Sequence, residues 1–328
     1  MTINIFFFGI SKPGLELLEK ILKSSLDINF IGVCGKINKK KHADKYEKKL
    51  LKICNKNKIK FYKPKKVTSS VIIKYKNSLG IIGGHDKILD KSLINSFSIG
   101  VFNFHFGIIP YTRGCNPTMW SILQGNIAGY TIYKISEKID LGDTVLIKKY
   151  KISKFDTSEN LYNKFSKSVV IDMYNLLRKI LINYSCSNNN FLTKSSHKHS
   201  NLKNNYFSRH LPNSGYVSWF WKKDFISRFN RAFLFQKYKT IKTIYNNTDV
   251  FLKIINFKKT NKENIPGKVL YKKGKLIKVA IKKYVVTAIL EKNYLFLNQD
   301  HIIFNNYAGG NEKYNINFNY NKKFYNKY

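Results

Sequence analysis

Hydrophobic positions along the first half of the chain alternate between two periods. Residues 3–9 form an apolar run closed by Gly9, followed by Leu15, Leu17, Leu18, Ile21 and Leu22 at helical spacing. That is a strand, a tight turn and a helix, the opening of a βαβ unit. Ile28 to Cys34 predicts a second strand. Lys36 to Lys49 is a charged stretch that starts as a loop and runs into a helix ending near Lys56. Ile59 to Tyr62, Leu79 to Ile82 and Gly100 to His105 predict three further strands, with helical segments around Val71 to Tyr75 and Lys91 to Ser96 between them. Strands alternating with helices at this spacing predict a parallel sheet covered on both faces, with ligands beyond the carboxyl ends of the strands.

After a helix over Asn116 to Gln124 the pattern becomes strand-like at Gly129 to Ile135, turns at Lys138 to Gly142, and returns at Thr144 to Lys151. Thr157 to about Ile182 is helical. Residues 184–204 are rich in Ser, Asn and Lys and read as a linker. Beyond it, a helix over Asp224 to Phe233 precedes five β-rich runs: Val250–Phe257, Lys268–Tyr271, Leu276–Ala280, Val285–Leu290 and Tyr294–Leu297. Pro266-Gly267 and Lys273-Gly274 supply turns, and short, evenly spaced strands suggest a small barrel. The expected organisation is a first domain over 1–183, a linker over 184–204, a second domain over 205–310 and a disordered tail over 311–328. At 328 residues each domain has enough chain for its own core.

Composition and charge narrow the reading further. The formal charge is +40, from 59 Lys and Arg against 19 Asp and Glu. Such an excess suits a polyanionic partner. Lys far outnumbers Arg and comes with abundant Asn, Ile and Tyr, which is also what AT-rich codons produce. Residues 101–150 hold only 5 basic residues against 3 acidic ones, so the charge thins in that stretch. The four cysteines show no CxxC spacing, which favours a reduced, cytoplasmic compartment. Met1 to Ile10 lacks a basic leader and a cleavage site, so it reads as a buried strand rather than a signal peptide. No apolar run approaches the roughly eighteen residues a membrane helix needs, so no membrane partner is expected. The seven histidines are scattered and no metal site is expected; His197 and His199 fall in the linker.

Candidate chemistry gathers in residues 101–144. Asn103 and His105 stand two apart at a strand end, so both side chains face the same way. Asp140 lies in a Gly-containing turn about thirty-five residues later. Alone, each has an ordinary structural reading, since Asn and Asp shape turns and a lone His packs. Together, a carboxamide, an imidazole and a carboxylate suit acyl transfer to an amine. The first two can bind a developing oxyanion, while the third orients the imidazole and helps remove the proton of the amine.

The stretch NFHFGIIPYTRGCNPTMWSI resembles the N-x-H…LLP-x-[YW]-RG-x-x-P motif of the 10-formyltetrahydrofolate-dependent formyltransferases, and KIDLGDT resembles their D-x-G-D/P signature. The likeness runs from FFFGISKPGLELLEKIL to about residue 182 and resumes at SGYVSWFWKKDFISRFNRAF and PGKVLYKKGKLIKVAI. It implies a Rossmann-like, doubly wound α/β sheet followed by a small β-rich, OB-like barrel. It also implies 10-formyltetrahydrofolate as co-substrate, Asn103 as donor to the formyl oxygen, His105 as the acid that stabilises the tetrahedral intermediate, and Asp140 as the partner of that imidazole. By the same resemblance Gly83, His85 and Leu89 would line a pteridine pocket, with Ile139 and Asp140 on the opposite wall. His85 departs from the family loop and has packing as its alternative. Gly9 and Arg113 would meet the acceptor, Arg113 either through a phosphate or by bracing its loop.

The acceptor divides the resemblance. GCNPTMWSI is closer to the enzymes acting on nucleotide-linked amino sugars. The added C-terminal domain and the charge favour the enzymes acting on initiator methionyl-tRNA, although their Arg/Gly-rich insertion is replaced here by the short Gly35 to His42. The sequence leans to the amino sugar. A non-catalytic, basic RNA-binding protein is the third expectation, and binding alone would not need the trio. The oligomeric state is not legible.

Overall fold

The computed structural model describes residues 2–9, 11–35, 45–85, 87–125, 127–137, 139–140, 142–185, 206–236, 238, 240–298 and 302–305. Most of the expected linker, most of the Gly35 to His42 segment and the whole expected tail lie outside them. The chain divides into two compact units, one of Met1–Gly114, Gly129–Lys149 and Tyr162–Tyr206, the other of Cys115–Ala128, Tyr150–Leu161 and Phe207–Tyr328.

The first unit is built on a sheet. Its strands are β1 (Ile3–Phe8), β2 (Ile28–Cys34), β3 (Phe61–Tyr62), β4 (Ser78–Ile82) and β5 (Gly100–His105), then, beyond the short β6 (Arg113–Gly114), β7 (Ile127–Lys134) and β8 (Asp143–Lys151). The order across the sheet is β3-β2-β1-β4-β5-β7-β8. The chain moves outward from β1 to β3 and returns to β4 on the other side of β1, so the direction of winding reverses between β1 and β4. Ligand crevices form at such a reversal. All pairs up to β5 are parallel, as the alternation predicts, whereas β7 runs antiparallel to β5. The parallel expectation fails there because the intervening helix α5 (Pro117–Gln124) belongs to the second unit and is not a crossover on this sheet.

Helix α1 (Lys12–Leu22) fixes the reversal point. Ser11 caps it, accepting from the Gly14 N–H at 3.1 Å while its hydroxyl donates to the Gly83 carbonyl at 2.6 Å. Leu15, Leu17, Leu18 and Ile21 give it one apolar stripe, all buried. Gly14 has no alternative, since a Cβ there would stand 2.0 Å from the Gly83 oxygen. Helices α2 (Lys45–Lys56), α3 (Ser69–Ile72), α4 (Lys91–Asn95) and α6 (Ser158–Ser185) complete the set.

The second unit holds α5, α7 (Lys223–Phe233) and an antiparallel sheet, and the two-residue β9 (Tyr206–Phe207) falls where the first unit ends and the second resumes. The sheet has the order β10-β11-β14-β13-β12, from β10 (Ile241–Tyr245), β11 (Thr248–Lys259), β12 (Val269–Lys273), β13 (Leu276–Ile281) and β14 (Tyr284–Leu290). Residues 302–305 close it into the expected barrel by bridging both edges. Asn305 pairs with Ile244 of β10, and Ile303 pairs with Lys268 just before β12. Phe304 donates its N–H to the Gly267 carbonyl at 2.9 Å and buries its ring against Trp219, 6.0 Å between centroids. Tyr294–Leu297, expected as a strand, instead contributes to a 3-10 turn over Leu295–Asn298. Its buried positions, Tyr294 and Leu297, are three apart, which is the period of that turn and not of a strand. A bulge in β11 between Ile254 and Asn256 frees backbone groups, and the buried Asn230 of α7 satisfies them. Its amide donates to the Ile254 carbonyl and accepts from the Ile254 N–H, both at 3.0 Å. Among the described residues no helix is long and apolar enough to cross a membrane.

Candidate active site

The expected trio converges at the carboxyl end of β5, within the first unit. Parallel and antiparallel registers place Phe8, Ile82, Asn103 and Tyr133 in one row across β1, β4, β5 and β7. Tyr133 is therefore the direct cross-strand neighbour of Asn103, and Thr131 that of His105, each pair on a shared face. Asn103 donates from Nδ2 to the Tyr133 hydroxyl at 2.8 Å, and Tyr133 donates to Oδ1 of Asp140 at 2.9 Å. Nδ1 of His105 stands 3.8 Å from the same oxygen, with both side chains close to nine-tenths buried.

Each group is held by backbone. Nε2 of His105 lies 2.7 Å from the carbonyl oxygen of Thr112. That oxygen can only accept, so Nε2 carries a proton and Nδ1 is the nitrogen that faces Asp140. Gly107 makes room for this bond, since a Cβ there would stand 2.1 Å from the Thr112 oxygen and 2.7 Å from Nε2. The loop is stapled by the buried Thr131 hydroxyl, which accepts from the Ile109 N–H at 3.0 Å and donates to the Gly107 carbonyl at 2.9 Å.

Asp140 sits at φ 48°, a left-handed conformation that Asp tolerates better than most residues. The carboxylate accepts at both oxygens, from Tyr133 and from the Gly114 N–H at 2.8 Å. Arg113 donates from Nη2 to the Ile139 carbonyl at 2.9 Å. Consecutive residues thus clamp the 139–140 turn. Burial, then the charge of Asp140, push the Tyr133 hydroxyl well above its ordinary pKa, so it stays protonated.

Of the other expected residues, Gly9 and Gly83 meet at the winding reversal. The backbones of Gly9 and Gly83 touch so closely that a Cβ on Gly9 would lie 2.6 Å from Gly83. The His85 ring packs 5.6 Å from Phe8. Leu89 is not part of an open wall. It is buried in the core with Phe8, Ile82, Leu93 and Val101. Ile139 is 41% exposed beside Asp140. Sequence reasoning missed Tyr133, Thr131 and Gly107. Period-two alternation in 129–135 put Thr131 and Tyr133 on one face, but only the register reveals which face. Among the described residues, no three metal-ligating side chains gather.

Residues 1–174 match the formyl transferase family. Over 167 residues the chain is 30% identical to the methionyl-tRNA formyltransferase of Thermosipho africanus (strain TCF52B), covering 49% of this chain and 54% of that protein. The chain spans about half the length of the curated relatives it matches. Among solved structures, WlaRD, a sugar 3N-formyl transferase determined in the presence of dTDP and 5-N-formyl-THF, aligns with a TM-score of 0.65 at 22% identity, covering 89% of this chain and 99% of that one. A 4-N formyltransferase from Francisella tularensis aligns at 0.62 and 24% identity, over 76% and 96%. At these identities the likeness is one of fold. The family match covers more than half of the sequence and includes the β5 and β7 residues that build the site, and the chain belongs to the formyl transferase family.

Proposed function

We propose that this protein transfers a formyl group from 10-formyltetrahydrofolate to a primary amine carried by a nucleotide-linked sugar. The observation that carries the reading is the convergence of Asn103, His105 and Asp140 on one rim of the sheet, linked by Tyr133 and held by backbone donors. One N–H of Asn103 goes to Tyr133, and the other has no partner among the described residues, which leaves it for a ligand oxygen.

In the reaction the amine nitrogen attacks the formyl carbon, and the carbonyl oxygen takes up negative charge. The free N–H of Asn103 and the protonated His105 stabilise that oxyanion. Asp140 is the acceptor toward which the proton of the amine leaves, and it faces Nδ1 of the imidazole. Collapse breaks the bond from carbon to N10, and that nitrogen takes a proton as tetrahydrofolate departs. The donor set fits a formyl group, offering two hydrogen-bond donors and one acceptor. Ile139 offers an apolar surface to the pteridine, His85 and the backbone of Gly83 face it from the β4 loop, and Leu89 supports that loop from the core. Gly9 contributes backbone at the winding reversal, where the acceptor would pass.

The sugar acceptor is supported by the motif GCNPTMWSI and by fold alignment with a sugar 3N-formyl transferase along 99% of its chain. A second reading, initiator methionyl-tRNA as acceptor, is favoured by the 30% identity to the Thermosipho protein and by the +40 charge. The experiment offers purified protein and 10-formyltetrahydrofolate either dTDP-linked amino sugars or charged initiator tRNA, and reads tetrahydrofolate release. Release with the sugars alone is expected. Release with tRNA alone transfers the assignment to the second reading, and release with neither overturns both.

A further inference from the structure

We propose that Tyr133 is a positioning residue whose hydroxyl decides which end of the Asn103 carboxamide faces the reacting carbonyl. The proposal rests on the reading of Asn103 as an oxyanion donor.

The orientation is set from the far end of the hydrogen-bond chain. An ionised carboxylate can only accept. Asp140 therefore takes the single proton of the Tyr133 hydroxyl, at 2.9 Å. With its proton committed, the Tyr133 oxygen can only accept, and it accepts from Nδ2 of Asn103 at 2.8 Å. The carboxamide must then turn its NH2 group toward Tyr133, and the second N–H of that group becomes the donor available to a ligand. Without the hydroxyl, nothing on this side distinguishes the two ends of the amide. It can turn over and present its carbonyl oxygen, which repels an oxyanion.

Two further features make the arrangement rigid. Cross-strand register fixes the two side chains side by side, so contact does not depend on a flexible loop. Tyr133 is also 2% exposed, so water cannot substitute for either partner. The far end is anchored too, because the Gly114 N–H holds Oδ2 of Asp140 and leaves Oδ1 for the tyrosine. The charge of one residue thus sets the orientation of another through a third that need not touch the substrate.

Tyr133→Phe keeps the ring and removes one oxygen. The expected result is a fall in kcat of roughly 10- to 100-fold, toward the scale of a lost oxyanion donor, with KM for 10-formyltetrahydrofolate within about twofold. Asn103→Ala made on top of Tyr133→Phe is expected to add less than about threefold, because a misdirected donor has little left to lose. A purely structural tyrosine would give losses that multiply. Multiplying losses, or a Tyr133→Phe rate within about twofold of the unaltered protein, would overturn the proposal. Should that variant not fold, a measurement on the unaltered protein decides. The Asn103 side-chain NH2 protons, assigned by their loss in Asn103→Ala, should show a nuclear Overhauser effect to the Tyr133 ring, and its absence rejects the orientation. Failure of the formyl-transfer reading is separate: it appears as no tetrahydrofolate release by the unaltered protein with either acceptor, and the Overhauser measurement then stands alone.

Discussion

The Gly114 N–H donates to Oδ2 of Asp140 at 2.8 Å, so a main-chain group fixed by the loop after β5 aims a carboxylate carried by a turn beyond β7. Asp140→Asn leaves the shape almost unchanged but sets an amide between two donors, Gly114 and Tyr133. Whichever way that amide turns, one donor loses its acceptor or the tyrosine must release its proton elsewhere. Turnover is expected to fall about 10²-fold or more, the scale of a lost acid–base group. Tetrahydrofolate release measures it, and an unchanged rate removes Asp140 from the mechanism.

Gly107→Ala places a Cβ 2.1 Å from the Thr112 oxygen and 2.7 Å from Nε2 of His105. The carbonyl and the imidazole cannot both keep their places. A stability loss of ~1–3 kcal/mol is expected from the overpacking. The catalytic consequence should be larger than that of a comparable change elsewhere in the unit, because the lock on the His105 tautomer breaks. Denaturant midpoints and kcat, measured on one preparation, check both.

Asn230→Ala leaves the N–H and carbonyl of Ile254 buried without the amide that satisfies them at the β11 bulge. Unpaired buried groups cost ~1–3 kcal/mol each, so the second unit should melt measurably earlier. Asn230→Gln cannot hold the same two-point geometry and should not restore it. Trp219 fluorescence reports this unit.

Thiol chemistry offers a check that needs no substrate. Cys54 is fully buried, and burial pushes its thiol up to about 11; Cys34 is equally buried. At pH 8 only about one Cys54 in a thousand would be thiolate even if reached. Cys115 is partly exposed. In the native protein Cys115→Ser should remove a rapidly reacting thiol from an Ellman assay, while Cys34 and Cys54 react only on unfolding.

The legible parts of this protein are those written in local pattern. Asn103 and His105 could be placed because a strand period sends alternate side chains to one face, and Asp140 because it follows such a strand within a glycine turn. Helix α6, predicted over Thr157 to Ile182, is found at Ser158–Ser185, since a long apolar stripe leaves little choice. What stayed hidden depends on pairing. Tyr133 lay in a predicted strand, but its contact with Asn103 is a statement about register between segments thirty residues apart. The antiparallel entry of β7 was hidden in the same way, because a buried strand reads alike in either direction. Leu89 looked like pocket lining in a glycine loop, yet it faces inward, and one apolar residue after a turn carries no period to say so. Residues 302–305 are too few to show alternation, and so the segment that closes the expected barrel could not be seen from sequence.

That closing segment also sets an order of events. The five strands of the second unit have all been synthesised by Leu290, but the β12 edge and the Ile244 end of the β10 edge, which Tyr216 meets only at Lys242, gain their bridges only when residues 303–305 have followed. At ~5–20 residues per second the interval is roughly one to three seconds on the ribosome. For that time the nascent chain displays one open strand edge and one that is only partly covered, the kind of surface that recruits other chains. A holdase that shields such edges would raise the yield of this protein more than one that shields apolar helices, and slowing translation between the codons for residues 290 and 305 would lower it.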